Sequence, residues 1–405
     1  MLDVTNIRKD FRFFDNTKLA YLDNSATSQR PERVIQAEAD YYRYSNANPF
    51  RGLYDLSIEA TDKYENARAT VANFIGADAN EIIFTRNASE SLNLAAFSLG
   101  ELLLEPGDEI ITTVAEHHSN MLPWVHAAKR KGAVVKYLMC GIDGEFSLDD
   151  FKAMLSPRTK IVAMTHMSNI FGRIVDIKSF AEVAHSVGAV FVADGSQSVP
   201  HIKVDVRELG VDLMAFSGHK MMAPMGIGVL YGRKELLDKI PPFLTGGEMI
   251  EYVSLDDVSY AEVPHKFEAG TVNGGGAVGL AEAIRYIEEI GMDAMSEREL
   301  YLTDIALKKI EEIPHVTVLG GKTAEEHHGI ITFKIDNVHP HDIAAIFADE
   351  NVAVRAGHHC AEPLHQQLGI PSTTRASIMF YNTEEEVERF VSVLSEIRKV
   401  MGFRD

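Results

Sequence analysis

The sequence predicts an α/β protein built on a mostly parallel sheet with helices on both faces, with a smaller αβ unit at its C-terminal end. Three observations predict it. Seven short apolar runs lie at 82–85, 109–113, 134–138, 160–165, 189–193, 213–216 and 227–231. Several are apolar throughout, as strands covered on both faces are. Helical patterns lie between many of them, and alternation of that kind builds a parallel sheet. The chain has 405 residues, beyond the roughly 250–300 that one core supports, so two domains are expected.

The elements follow in order. The helical pattern over 89–104 stops at Pro106-Gly107, that over 120–131 at Gly132 and that over 176–187 at Gly188. Each stop residue is one that ends helices. Two longer helical patterns, 277–290 and 293–313, end at Gly291 and before His315. The smaller unit reads as a strand over 330–335, a helix over 341–350, a segment to Arg355, a strand over 375–380 and a helix over 383–400. The expected division is an N-terminal segment 1–22 packing with the small domain, a large domain 23–292, and a small domain 293–405.

Composition bounds the function. The formal net charge is −20, from 39 Lys+Arg against 59 Asp+Glu. Phosphate neutralisation needs clustered basic residues, so no nucleic-acid partner is expected. Hydrophobic residues make up 46% and charged residues 24%, the balance of a soluble globular chain. Only Cys140 and Cys360 are present. That excludes a disulfide framework and makes a reducing, cytoplasmic setting the expectation. Residues 1–14 mix charges with apolar residues and do not read as a signal peptide. No apolar run reaches the ~18 residues of a membrane span.

The chemistry concentrates at two strand ends. Ser217-Gly218-His219-Lys220 follows the run 213–216, and Asp194 follows the run 189–193. In parallel α/β sheets ligands bind at the carboxyl ends of the strands. A Lys there is commonly a surface residue, and an Asp there is commonly a helix N-cap. Together, a Lys for a Schiff base and an acid for a pyridinium nitrogen are what pyridoxal 5′-phosphate (PLP) chemistry needs.

Seven ordered motifs extend this reading: Glu116-His117-His118-Ser119-Asn120, His166-Met167-Ser168-Asn169, Asp194-Gly195-Ser196-Gln197, Ser217-Gly218-His219-Lys220, Phe267-Glu268-Ala269-Gly270-Thr271, Arg355-Ala356-Gly357-His358-His359-Cys360 and Arg375-Ala376-Ser377. With Tyr21-Leu22-Asp23-Asn24-Ser25-Ala26-Thr27 at the front, the sequence resembles the SufS-type cysteine desulfurases of the class V aminotransferase group, which are fold-type I PLP-dependent enzymes. The resemblance runs almost end to end.

It implies roles. Lys220 holds PLP and moves the Cα proton, Asp194 pairs the pyridinium nitrogen, and Gln197 bonds the ring hydroxyl oxygen. His117 stacks on the ring and helps proton transfer. Ala88, Ser89, Ser217 and His219 take the phosphate, joined by Thr271 from the second subunit of a homodimer. Arg375 anchors the substrate carboxylate, a bidentate task suited to guanidinium, with Asn169 and Arg355 alongside. Cys360 is the nucleophile that takes sulfur from L-cysteine as a persulfide, leaving L-alanine. The resemblance also implies a sulfur-acceptor protein as partner and a role in iron–sulfur cluster assembly.

The residues themselves bear on Cys360. A lone Cys is commonly a small buried hydrophobe, which suits Cys140. Cys360 instead follows Arg355 and two histidines, neighbours that favour a thiolate. Metal binding by His358, His359 and Cys360 ranks lower, because that trio cannot complete a tetrahedral site without distant partners. A selenocysteine lyase or another class V enzyme would share most of these residues. A PLP-binding regulator is opposed by the charge and by the intact Lys220, Asp194 and Cys360. Phe50-Arg51-Gly52, Asn87-Ala88-Ser89 and 221–226 depart from the usual family patterns.

Overall fold

A computed structural model describes residues 2–404. Met1 and Asp405, the outer ends of two expected segments, lie outside the described residues. The short strand β1 (Ala20–Tyr21) precedes the strands of the large sheet. These are β2 (Ile82–Thr85), β3 (Glu109–Thr113), β4 (Val134–Leu138), β5 (Thr159–Thr165), β6 (Val190–Asp194), β7 (Leu213–Ser217) and β8 (Gly228–Gly232). Their order is β2-β8-β7-β6-β5-β3-β4. β8 runs antiparallel to both neighbours, and the other pairings are parallel.

Alternation of side chains explains why the central runs are apolar throughout. Val162 and Met164, Phe191 and Ala193, Met214 and Phe216 enter one apolar cluster. Ile161 and Ala163, Val192, Leu213 and Ala215 enter another on the opposite face. Successive residues of a strand point to opposite faces, so a sheet covered twice needs an apolar residue at every position. Each fully buried Leu, Phe or Met contributes about 1.5–3 kcal/mol by area.

Local rules set the helix ends. Asn87 caps the helix Ala88–Leu103 by accepting Glu90 N–H, Asp176 caps Ile177–His185 through Ser179 N–H, and Gly132 ends Leu122–Lys131 in a left-handed conformation. Most predicted boundaries shift by a residue or more, and three of the shifts lie next to the site. The helix expected from 120 begins at Leu122, because His118–Asn120 form a 3₁₀ turn. The strand expected over 189–193 runs to Asp194. The strand expected over 375–380 is Thr373–Ser377, since Ile378, Met379 and Phe380 are buried in the core beyond the ladder.

The hairpin β9 (Ile250–Val253) and β10 (Val258–Tyr260) is largely exposed. A four-stranded antiparallel sheet then forms from β11 (Val316–Leu319), β12 (Ile330–Ile335), β14 (Arg355–Gly357) and β15 (Thr373–Ser377), in the order β11-β12-β15-β14. Helices Met292–Glu311, Pro340–Asp349 and Glu384–Val400 accompany it. The strand β13 (Val352–Ala353) pairs with β1 in parallel. Ala20 and Leu22 share an apolar cluster with Leu302, Phe333, Phe347 and Phe390. Phe11 instead belongs to the large-sheet cluster. No helix among the described residues is long and apolar enough to cross a membrane.

Candidate active site

The carboxyl ends of β5, β6 and β7 open into a cavity of about 280 Å³. Twelve of the thirteen predicted site residues line it: Ala88, Ser89, His117, Asn169, Asp194, Gln197, Ser217, His219, Lys220, Arg355, Cys360 and Arg375. Thr271 does not. It lines a second cavity with Thr85, Arg86, Phe243 and Asn273.

Register places the acid. Asp194 is the last residue of β6, level with Thr165 of β5 and Ala215 of β7. Its Oδ1 accepts Ser196 N–H at 2.9 Å. Lys220 ends the 3₁₀ turn Gly218–Lys220 directly after β7. That turn is pinned from outside: the His219 carbonyl accepts Ser28 N–H at 3.1 Å and the Thr27 hydroxyl at 3.0 Å. Burial lowers the Lys220 ammonium to about 8, with Asp194 opposing and Arg375 adding to the shift. A buried ammonium loses hydration, so its neutral form is favoured.

His117 starts a 3₁₀ turn and accepts Ser119 N–H on Nδ1 at 3.1 Å. Burial, then Lys220, pushes its imidazole down to about 3, so it is neutral. Beneath it, the buried Glu116 accepts Thr113 O–H, Asn120 N–H and Thr165 N–H. Burial raises this carboxyl to about 8 against those bonds. Asn120 in turn accepts Trp124 Nε1–H at 3.0 Å.

The residues present fit a phosphorylated pyridine aldehyde. Lys220 supplies a buried amine and Asp194 a carboxylate. Gln197 donates Nε2–H to the Ser25 carbonyl at 3.0 Å, while its Oε1 is buried without a partner. The start of helix Ala88–Leu103 faces the cavity through Ala88 and Ser89, a place that favours phosphate. Ser217 Oγ accepts Ala88 N–H at 2.8 Å, and Ser89 Oγ meets Ser119 Oγ at 2.6 Å. Ala88 N–H, expected as a direct phosphate donor, is thus held by Ser217. Gly228 permits this approach: a Cβ there would lie 2.4 Å from Asn87 Cα.

Cys360 is exposed on a loop with two successive left-handed residues, His359 (φ +51) and Cys360 (φ +58). The Cys360 carbonyl accepts His118 N–H at 2.7 Å, and Asn169 Nδ2–H donates to the His359 carbonyl at 2.8 Å. A hydrogen-bond chain supports the loop from behind. His365 Nδ1 contacts the Ala361 carbonyl at 3.1 Å, so Nδ1 carries the proton. His365 Nε2 then accepts the Thr373 hydroxyl proton at 2.9 Å, and Thr373 Oγ1 accepts His359 Nε2–H at 3.0 Å. This assigns His359 an unprotonated Nδ1, which is buried and has no partner. Burial holds its imidazole well below the usual range. His118 and His358 have local duties, accepting Glu362 N–H and meeting the Pro371 carbonyl.

Arg375 is buried, with Nη1 donating to the Asn169 carbonyl at 2.9 Å. Burial lowers its guanidinium to about 10. Arg355 is half exposed and chelated by Asp23. Asp23, Glu116, Thr373 and His365 carry no role in the sequence reading. Asp23 and Glu116 do stand inside motifs quoted for the resemblance, and Glu116 is a carboxylate in an apolar stretch, which is a usable signal.

The aminotransferase class-V family pattern matches residues 20–390. The chain belongs to the class-V aminotransferase family. This class-V chain is 45% identical over 99% of its length to a probable cysteine desulfurase of Halalkalibacterium halodurans, covering 99% of that protein. It is 46% identical to a probable cysteine desulfurase of Staphylococcus aureus, covering 99% of this chain and 98% of that one. Among solved structures, the apo cysteine desulfurase of Thermococcus onnurineus superposes with a TM-score of 0.95 at 43% identity over 99% of both chains. The S-sulfonic acid form of an Escherichia coli cysteine desulfurase gives 0.91 at 34% identity over 99% of both. The large-sheet architecture of this class-V chain is thus that of PLP-dependent enzymes.

Proposed function

We propose that the chain is a PLP-dependent cysteine desulfurase that converts L-cysteine to L-alanine and keeps the sulfur as a persulfide on Cys360. One observation carries the reading: an amine, a carboxylate, two guanidinium groups and an exposed thiol converge on one cavity. PLP, when bound, supplies a carbonyl for the substrate amine and an electron sink for Cα–H cleavage.

The chain does the rest. Lys220 Nζ, with a protonation midpoint near 8, is poised to take and return the Cα proton. Asp194 keeps one oxygen on Ser196 N–H and has the other for a ring N–H. Neutral His117 offers a flat face and a proton acceptor. Arg375 holds the substrate carboxylate, which aligns the substrate sulfur with Cys360. The Cys360 thiolate attacks that sulfur. An S–S bond forms, the substrate Cβ–S bond breaks with its electron pair left on the carbon skeleton, and proton return yields L-alanine. Thiol plus L-cysteine gives persulfide plus L-alanine, so atoms and electrons balance.

In the same reading the enzyme is a homodimer in which Thr271 completes the partner's phosphate site. Its position beside Arg86 in a separate cavity supports this. The persulfide passes to an acceptor protein in the reducing cytoplasm and feeds iron–sulfur cluster assembly. Residues 23–292 hold the cofactor, 293–405 carry the thiol and the carboxylate anchor, and 1–22 touch both, with Phe11 in the large-sheet cluster and Ala20 and Leu22 in the small-domain cluster. The alanine and sulfide yield from L-cysteine with a dithiol present tests the activity. Wild type forms both. Cys360→Ala retains the yellow cofactor and forms neither at an appreciable rate. Wild-type sulfide release by that variant overturns the assignment.

A further inference from the structure

The carboxylate anchor contains a conflict that one residue outside the cavity resolves. β14 and β15 pair so that Arg355 lies directly opposite Arg375. Like charges opposite each other on a sheet repel. Asp23 sits at this point because it bridges to Ser377, two residues along β15 from Arg375. Its carboxylate accepts Arg355 Nε at 3.1 and 3.3 Å and Nη2 at 3.0 Å, and lies 3.6 Å from Arg375 Nη2.

The consequences can be counted in atoms. Asp23 occupies two of the three nitrogens of Arg355. Arg375 gives Nη1 to Asn169, while its buried Nε has no partner. The trio carries a formal charge of +1, which one ligand carboxylate neutralises. A ligand bearing a second anion would have to take Arg355 from Asp23, leaving a carboxylate that is 18% exposed without its chelating partner.

We propose that Asp23 is a specificity-determining positioning residue: by holding Arg355 it matches the two-arginine anchor to ligands with one carboxylate and disfavours those with a second anionic group. The inference rests on the reading of this cavity as an amino-acid site.

The test uses the PLP-loaded enzyme and two ligands without a thiol, L-alanine and L-aspartate, with affinities measured by titration calorimetry. Wild type binds alanine the more tightly. In Asp23→Asn the trio carries +2, and the aspartate-to-alanine affinity ratio rises at least tenfold, about 1.4 kcal/mol. Asp23→Glu keeps the wild-type preference. A ratio in Asp23→Asn within threefold of wild type, with both ligands bound, overturns this inference alone. Binding of neither ligand to wild type overturns both it and the amino-acid reading.

Asp23→Asn leaves two arginines facing without a counter-ion. If it fails to fold, Arg355→Gln and the double variant Asp23→Asn/Arg355→Gln decide. The single variant, with Asp23 free to compete for Arg375, binds alanine at least fivefold more weakly. The double variant, restored to +1, recovers to within about twofold of wild type. A double variant no better than the single overturns the proposal.

Discussion

Replacing Arg68 by Met should cost about 3–5 kcal/mol of stability, the usual result of stranding a buried charge. The side chains of Arg68 and Glu268 are 1% and 3% exposed, so solvent screens them little. Two parallel bonds join them: Nη1 to Oε1 at 2.6 Å and Nη2 to Oε2 at 2.9 Å. Glu268 also accepts Phe84 N–H at 2.7 Å and the Tyr64 hydroxyl at 2.9 Å. Without Arg68 the carboxylate keeps only those two neutral donors. Glu268→Gln is the milder cut, about 2–3 kcal/mol, because Arg68 retains Glu65 and the Ile82 carbonyl. The double variant should be less destabilised than the sum of the singles by at least about 1 kcal/mol, since the partners share one network. Urea unfolding followed by circular dichroism and by the fluorescence of Trp124, the single tryptophan, measures all three. A cost below about 1 kcal/mol for Arg68→Met, or simple additivity in the double variant, would show that the two side chains do not form one coupled buried network. The pair also braces the segment that leads to Thr271.

Two further outcomes are expected. Gly228→Ala drives a Cβ to 2.4 Å from Asn87 Cα, so the start of helix Ala88–Leu103 must move. PLP affinity should fall at least tenfold while far-UV circular dichroism stays near wild type, and unchanged affinity would contradict the account. His117 has a folded protonation midpoint near 3, well below the ordinary 6.5. The unfolded chain therefore binds more protons in that window, and this group loses stability as pH falls from 6.5 toward 3. His117→Asn should shift the acid-unfolding midpoint to lower pH, and an unmoved midpoint counts against a buried neutral imidazole.

The central strands β5, β6 and β7 are readable because burial on both faces leaves a nearly continuous apolar signal. β1 and β13 were not, since two residues carry no period and each exists only by pairing with the other. The run 375–380 misled because core burial of Ile378–Phe380 mimics a strand. Lys220, Asp194 and Cys360 were legible because each is an unusual group in its setting. Asp23 was not, because its two arginines stand far along the chain and only the closed sheet brings them to it. Thr373 and His365 looked like ordinary polar residues. Their duty depends on a three-membered hydrogen-bond chain with one workable set of tautomers.

The pairing of β1 with β13 bears on how the enzyme is made. Asp23 and Arg355 are 332 residues apart, as are Ala20 and Val352. At a synthesis rate of about 5–20 residues per second, roughly 17–66 s pass between their appearances. Throughout that interval the first strand waits with open edges, and Asp23 is a lone carboxylate. Lys220 and Asp194 are translated more than a hundred residues ahead of Arg355, Cys360 and Arg375. A ribosome halted before residue 352 therefore holds a nascent chain with Lys220 and Asp194 but without the partner strand of β1, the Cys360 thiol or either arginine of the pair that Asp23 meets.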